Sequence, residues 1–175
     1  MKPVLLLALG GAICAAALFT HSRSRSSEPV LHVRNTFTFT LPHSYATMFP
    51  LFGAARERVW SSGWHPAFLY PTPARDSAGM VFTVAHGYTR SVWVNTAFDT
   101  RTGHVQYVSV IPNALATLID IQIQAIAPAS TRVSVTYERT ALVPEANDHV
   151  RALGDHDRAA GPQWETAIHD YLKRT

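Results

Sequence analysis

His86, Tyr107 and Tyr137 are the residues whose types and positions could carry a polar group into an apolar interior. A tyrosine hydroxyl among apolar groups usually finds a partner. It can orient the carbonyl of a ligand or satisfy a backbone carbonyl, and the sequence leaves both open. Glu57 and Arg58 stand just before Trp60 and Trp64. They read either as an acid and a cation at the opening of a cavity beside an aromatic wall, or as a solvated helix face beside a structural tryptophan pair. General acid/base chemistry needs a titratable group that faces inward with a shifted pKa. Asp120 and Glu138 alternate away from the inward side of their strands. Arg139 is in phase with Tyr137, but near a strand end where it could extend to solvent.

Other chemistries find little support. The chain has nine histidines, yet none sits at the i, i+4 spacing of a metalloprotease helix, and His149 and His156 are seven apart without a carboxylate at ligand spacing. No metal or other cofactor is therefore expected. The single cysteine, Cys14, excludes an internal disulfide framework and a cysteine-based zinc site. No nucleophile elbow, phosphate-binding loop or dinucleotide fingerprint is present. The net charge is only +3 and the cationic residues are scattered, so no stripe exists for a nucleic-acid backbone.

Elements must position these residues. Residues 1–20 hold an uncharged apolar run behind Lys2, the pattern of a signal peptide or an N-terminal membrane anchor, and predict an exported or membrane-tethered protein. Residues 21–29 are polar and Ser/Arg-rich, a flexible linker. The domain is expected over 30–175. Thr36 to Leu41 alternate as a half-buried strand, with Phe37, Phe39 and Leu41 on one face. Two short helical stretches over 43–52 and 54–60 follow, then a loop over 61–79. Five strands are predicted at Met80–His86, Ser91–Phe98, His104–Ile111, Ala116–Ala127 and Thr131–Leu142, joined by turns short enough for an antiparallel meander. Val150, Leu153, Asp157, Ala160, Trp164, Ile168 and Tyr171 form one helical stripe. Gly161-Pro162 should kink or split that helix, and the stripe keeps its phase across Pro162, which favours one kinked element; a bend there would open the space beneath it.

A strand, two short helices, a meander and a long closing helix are the element order of the helix-grip fold. The sequence resembles the START-like (SRPBCC) superfamily, in particular its polyketide cyclase/dehydrase and lipid-transport group. Residues 55–71, 133–142 and 164–172 carry the resemblance, and Gly161-Pro162 departs from it. It implies an α+β fold in which a curved antiparallel sheet wraps the C-terminal helix around an apolar cavity. Expected ligand-binding residues on the strands are Phe37, Phe39, Phe82, Tyr107, Ile119, Ile121 and Tyr137. Trp60, Trp64 and Phe68 join them from the second short helix and the loop, and Trp164 and Ile168 from the closing helix. Their collective aromatic content suits an apolar ligand, although each alone could simply fill a core. The expected function is binding or transport of a hydrophobic small molecule or lipid, with no catalytic residue assigned. The alternatives are a cyclase- or dehydratase-like enzyme in the same cavity, or a protein-interaction module with a filled core.

Overall fold

The alternation of Phe37, Phe39 and Leu41 with threonines places the phenyl rings under the sheet and the hydroxyls on its outer face. On that face Thr36 and Thr136 share a hydrogen bond of 2.8 Å, and Thr38 donates to Ser134 at 3.3 Å. The computed structural model describes residues 28–175. Its strands are β1 (His32–Leu41), β2 (Ala67–Tyr70), β3 (Val81–His86), β4 (Thr89–Asp99), β5 (His104–Ile111), β6 (Leu115–Ala127) and β7 (Ser130–Ala141). They form one seven-stranded antiparallel sheet in the order β1-β7-β6-β5-β4-β3-β2. Register shifts between Asn95 and Ala97 and between Ala125 and Ala127 mark bulges, which bend a sheet locally. The leader over 1–20, most of the linker and Cys14 lie outside the described residues.

One expectation about local structure needs correction, and another gains detail. The loop over 61–79 contains a strand, β2, whose four residues are flanked by Pro66 and Pro71 and pair with β3 at the sheet edge. The stretch over 43–60 is only partly α-helical. It comprises α1 (Tyr45–Met48), a 3₁₀ turn at Phe49–Phe52 and another at Glu57–Val59. Asp76 pins this stretch by accepting the amide of Ala55 at 2.8 Å. Gly53 makes room for that carboxylate, since a Cβ there would lie 2.3 Å from the Asp76 carboxyl carbon.

The closing helix α2 (Asn147–Leu172) runs for 26 residues through Pro162, a single element as the continuous phase of its stripe implied rather than two helices. Pro162 is exposed, which keeps its ring clear of the sheet. Gly154 and Gly161 are the points at which the helix lies against β1. A Cβ on Gly154 would come within 3.1 Å of Val33, and one on Gly161 within 3.4 Å of Phe37. The Asn35 amide also donates to the Gly154 carbonyl at 3.1 Å. Glycine costs about 1 kcal/mol in a helix interior, and here it allows the backbones to approach.

An ion pair fixes the same helix from the other side. Arg139 on β7 donates to Asp157 on α2 through Nε at 2.6 Å and a terminal nitrogen at 2.8 Å, and to Thr117 on β6 at 3.2 Å. Their side chains are 13% and 2% exposed, so Arg139 does not extend to solvent as its position near a strand end suggested. Removing one member of a buried pair leaves the other charge uncompensated, at a cost of about 3–5 kcal/mol. Asp157→Ala should therefore lower the unfolding free energy by about that amount in urea titrations. Arg139→Met combined with Asp157→Leu should regain most of the loss.

Candidate ligand-binding site

The sheet and α2 enclose two adjoining chambers. The outer one has a volume of about 420 Å³, within the ~300–1,000 Å³ usual for ligand sites. Its walls are the ends of the β3–β4 and β5–β6 hairpins, the end of β7 and the first turns of α2. They contribute His86, Ser91, Ser109, Thr117, Arg139 and His149 as polar groups, with Ile111, Leu115 and Leu153 between them. Trp93 and Tyr137 line both chambers. The inner one holds about 60 Å³, room for a chemical group rather than a whole ligand.

The inner chamber is a box of rings. Phe82 stacks on Trp93 at 5.6 Å between centroids, and Trp64 meets both edge-on at 5.8 and 5.4 Å. Tyr107 closes on Phe82 and Trp93 at 6.2 Å, with Tyr137 from β7 and Trp164 from α2 completing the wall. The tryptophan nitrogens are satisfied by the structure itself. Trp60 Nε1 donates to the Leu51 carbonyl at 2.7 Å and Trp64 Nε1 to that of Ala54 at 2.8 Å, which fixes the 3₁₀ segment. Trp93 Nε1 donates to Ser91 Oγ at 2.6 Å.

Glu57 is the only charged side chain in this inner lining. Burial, reinforced by repulsion from Asp76, pushes its carboxyl up to about 8. Burial also raises Tyr107 and Tyr137, with the Glu57 charge as the next cause in each. The Tyr107 hydroxyl donates to the Phe52 carbonyl at 2.9 Å, the outcome in which a buried tyrosine serves the backbone. That of Tyr137 has no hydrogen-bond partner among the described residues, and the Arg139 guanidinium lies 4.7 Å from its ring centroid. Asn95, opposite Tyr107 on β4, is fully buried with both amide atoms unpartnered among the described residues.

The expected residues divide between the box and the core around it. Trp64, Phe82, Tyr107, Ile119, Ile121, Tyr137 and Trp164 line the inner chamber. Phe37, Phe39, Trp60 and Ile168 pack in the buried core, with Phe37 against Trp164 at 5.5 Å, and are absent from both linings. Phe68 packs on Phe82 at 5.8 Å between centroids, and the Arg58 guanidinium lies over the Phe68 ring at 5.7 Å. His86 stands exposed at the rim, sharing a 2.9 Å hydrogen bond with Ser91, rather than inside. Asp120 faces the outer side of the sheet with His104 and Gln106, and Glu138 pairs there with Arg34. Sequence reasoning missed Trp93. It sits in the uniformly apolar stretch Val92-Trp93-Val94, where no polarity contrast marks the inward residue, although its phase with Ser91 and Asn95 could have shown it.

No family model and no curated protein matches the sequence. Solved structures do. The chain is similar to norcoclaurine synthase from Thalictrum flavum, with a TM-score of 0.59, 10% identity, and coverage of 99% of this chain and 97% of that one. This is the helix-grip fold, a curved antiparallel sheet closed by a long C-terminal helix. The Mll3558 protein from Rhizobium loti has the same fold, at TM-score 0.57 and 19% identity, over 82% of this chain and 99% of that one. Ara h 8.0201 aligns with a TM-score of 0.57 and 13% identity over 82% of this chain and 99% of that one. These likenesses establish the fold alone.

The raised Glu57 carboxyl has a consequence for stability. In the unfolded chain it ionises near its ordinary value of 4.5, and in the native state near 8. Between those values the native protein holds a proton that the unfolded chain has lost. The stabilisation is complete below the lower value and vanishes as pH rises through the upper one. Relative to Glu57→Gln, the protein should lose on the order of 3 kcal/mol of stability between about pH 5 and pH 8, measured by urea unfolding at several pH values. A pH-independent difference between the two proteins would contradict the burial of this carboxyl.

Proposed function

We propose that the domain binds a small amphiphilic molecule whose body occupies the outer chamber and whose end group enters the ring box. The observation that carries this reading is the adjoining of a roughly 420 Å³ chamber with mixed polar walls to a small aromatic one. A filled-core interaction module would leave no such space. A lipid with a long acyl chain fits less well, because the apolar end is short and closed by rings while the roomy end is polar. Support also comes from a relative's ligands, since one norcoclaurine synthase structure is described as a complex with dopamine and hydroxybenzaldehyde, both small aromatic molecules. Affinity would come from burying apolar surface, at about 25 cal/mol per Å² before the costs of ordering.

Acid/base catalysis in the same cavity is a second reading, favoured by Glu57 beside the unpartnered Tyr137 hydroxyl. On that reading Glu57→Gln abolishes turnover while a neutral ligand still binds. The leader over 1–20 would place the domain outside the cytosol or hold it at a membrane surface, where amphiphiles gather. N-terminal sequencing of the protein recovered from exported and membrane fractions tests this, and full-length protein confined to the cytosol would contradict it.

The binding reading predicts that the purified protein takes up an environment-sensitive probe such as anilinonaphthalene sulfonate. Ser109→Trp, which puts an indole into the outer chamber, should weaken uptake by about tenfold or more, a loss of at least ~1.4 kcal/mol, with the far-UV circular dichroism unchanged. Uptake that is absent in the parent protein, or equal in the folded variant, would refute it.

A further inference from the structure

We propose that the inner chamber is an ammonium site, in which the ring box receives the protonated amino group of an amphiphilic amine and Glu57 is its counter-ion. The inference rests on the ligand-binding reading above and names the ligand class that reading leaves open. Six rings surround the space, from Trp64, Phe82, Trp93, Tyr107, Tyr137 and Trp164. Ring faces attract a cation through their quadrupoles, and aromatic cages are a recurring solution for ammonium groups. An anion would find no cationic partner in this lining and would oppose ionisation of Glu57. A neutral apolar group would offer the carboxyl no hydrogen-bonding partner. An ammonium answers both, because its N–H groups can donate to Glu57 and to the unpartnered hydroxyl of Tyr137 while its alkyl carbon meets the rings.

Size points the same way. The space of about 60 Å³ suits an amino group and its adjoining carbons, and the Trp93–Tyr137 wall leads on to the outer chamber for the remainder of the molecule. Arg139 lies at that junction, but Asp157 holds it in a two-point pair, so it does not set a free positive charge against an incoming cation.

Binding must then be linked to protons. Facing or influencing Glu57 are Asp76 in the loop before β3, Tyr107 on β5 and Tyr137 on β7, while α2 contributes the uncharged Trp164. Beyond Tyr137 stands the Arg139–Asp157 pair. Arg56 and Arg58, on its own segment, act on Asp76. In the empty protein the Glu57 carboxyl is protonated at neutral pH and ionises near 8. An ammonium beside it favours the carboxylate, so each bound amine releases up to one proton, and affinity rises with pH until the carboxyl is ionised without help.

The test compares 2-phenylethylamine with its neutral counterpart 2-phenylethanol by isothermal titration calorimetry from about pH 6 to about pH 8.5, a range over which an alkylamine stays protonated. Amine affinity should increase roughly fiftyfold across that range, with proton release visible as a dependence of heat on the buffer. Alcohol affinity should stay flat. Glu57→Gln should abolish the pH dependence and the preference for the amine while still binding the alcohol, with its fold checked by circular dichroism. Equal, pH-independent binding of both compounds would overturn the ammonium site and leave the ligand-binding reading standing. Failure of both compounds and of the fluorescent probe would overturn the two together.

Discussion

The position of α2 relative to the sheet governs every other feature of the molecule. On the β1 side the helix touches the sheet backbone to backbone, through Gly154 against Val33 and Gly161 against Phe37. On the β7 side it is held off by the length of an arginine, because Arg139 reaches from the strand to Asp157. A helix that is tight against one edge of a curved sheet and spaced from the middle of it leaves a wedge of room beneath. That wedge is the outer chamber. The ion pair works as a spacer as well as a clamp, since two hydrophobic residues of similar volume could hold the helix equally well but would offer no polar wall.

The inner chamber follows from a second constraint, the anchoring of an irregular segment. Residues 49–60 make only short-range turn hydrogen bonds of their own, such as Gly53 to Pro50 and Glu57 to Gly53. They are fixed by Asp76 on the Ala55 amide, by Tyr107 on the Phe52 carbonyl, and by two tryptophan nitrogens on the carbonyls of Leu51 and Ala54. With those carbonyls satisfied, the segment can present Glu57 to a wall of rings. The acid is thus held in an apolar place by groups that do not neutralise it. Desolvation with a second carboxylate nearby raises its pKa, and a group so perturbed in a cavity is a common mark of function.

Much of this was legible from sequence. The alternation of Phe37 and Phe39 with threonines, the Ile119-Ile121-Ile123 face and the stripe from Val150 to Ile168 identify the sheet, its inward side and the helix that covers it. What escaped depends on distance along the chain. β2 is four residues long without alternation, and only its pairing with β3 makes it a strand. Pro162 signals a break when the helix is considered alone, whereas in place its exposed ring disturbs nothing on the packed side. Arg139 seems free to reach water until α2 brings Asp157 to it. Glu57 was legible as a candidate but not its direction, because its 3₁₀ turn has no period to show which way a side chain faces, and Asp76 arrives from a loop nineteen residues later in the chain.

The central claim is that the hollow beneath α2 is a ligand site with a carboxylate at its closed end. A high-resolution crystal structure grown in the presence of 2-phenylethylamine addresses it most directly. The amine nitrogen is expected within hydrogen-bond distance of the Glu57 carboxyl, its phenyl ring between Trp93 and Tyr137, and the Arg139–Asp157 pair intact. Chambers holding only ordered water under saturating amine, or side chains collapsed into the space, would contradict it.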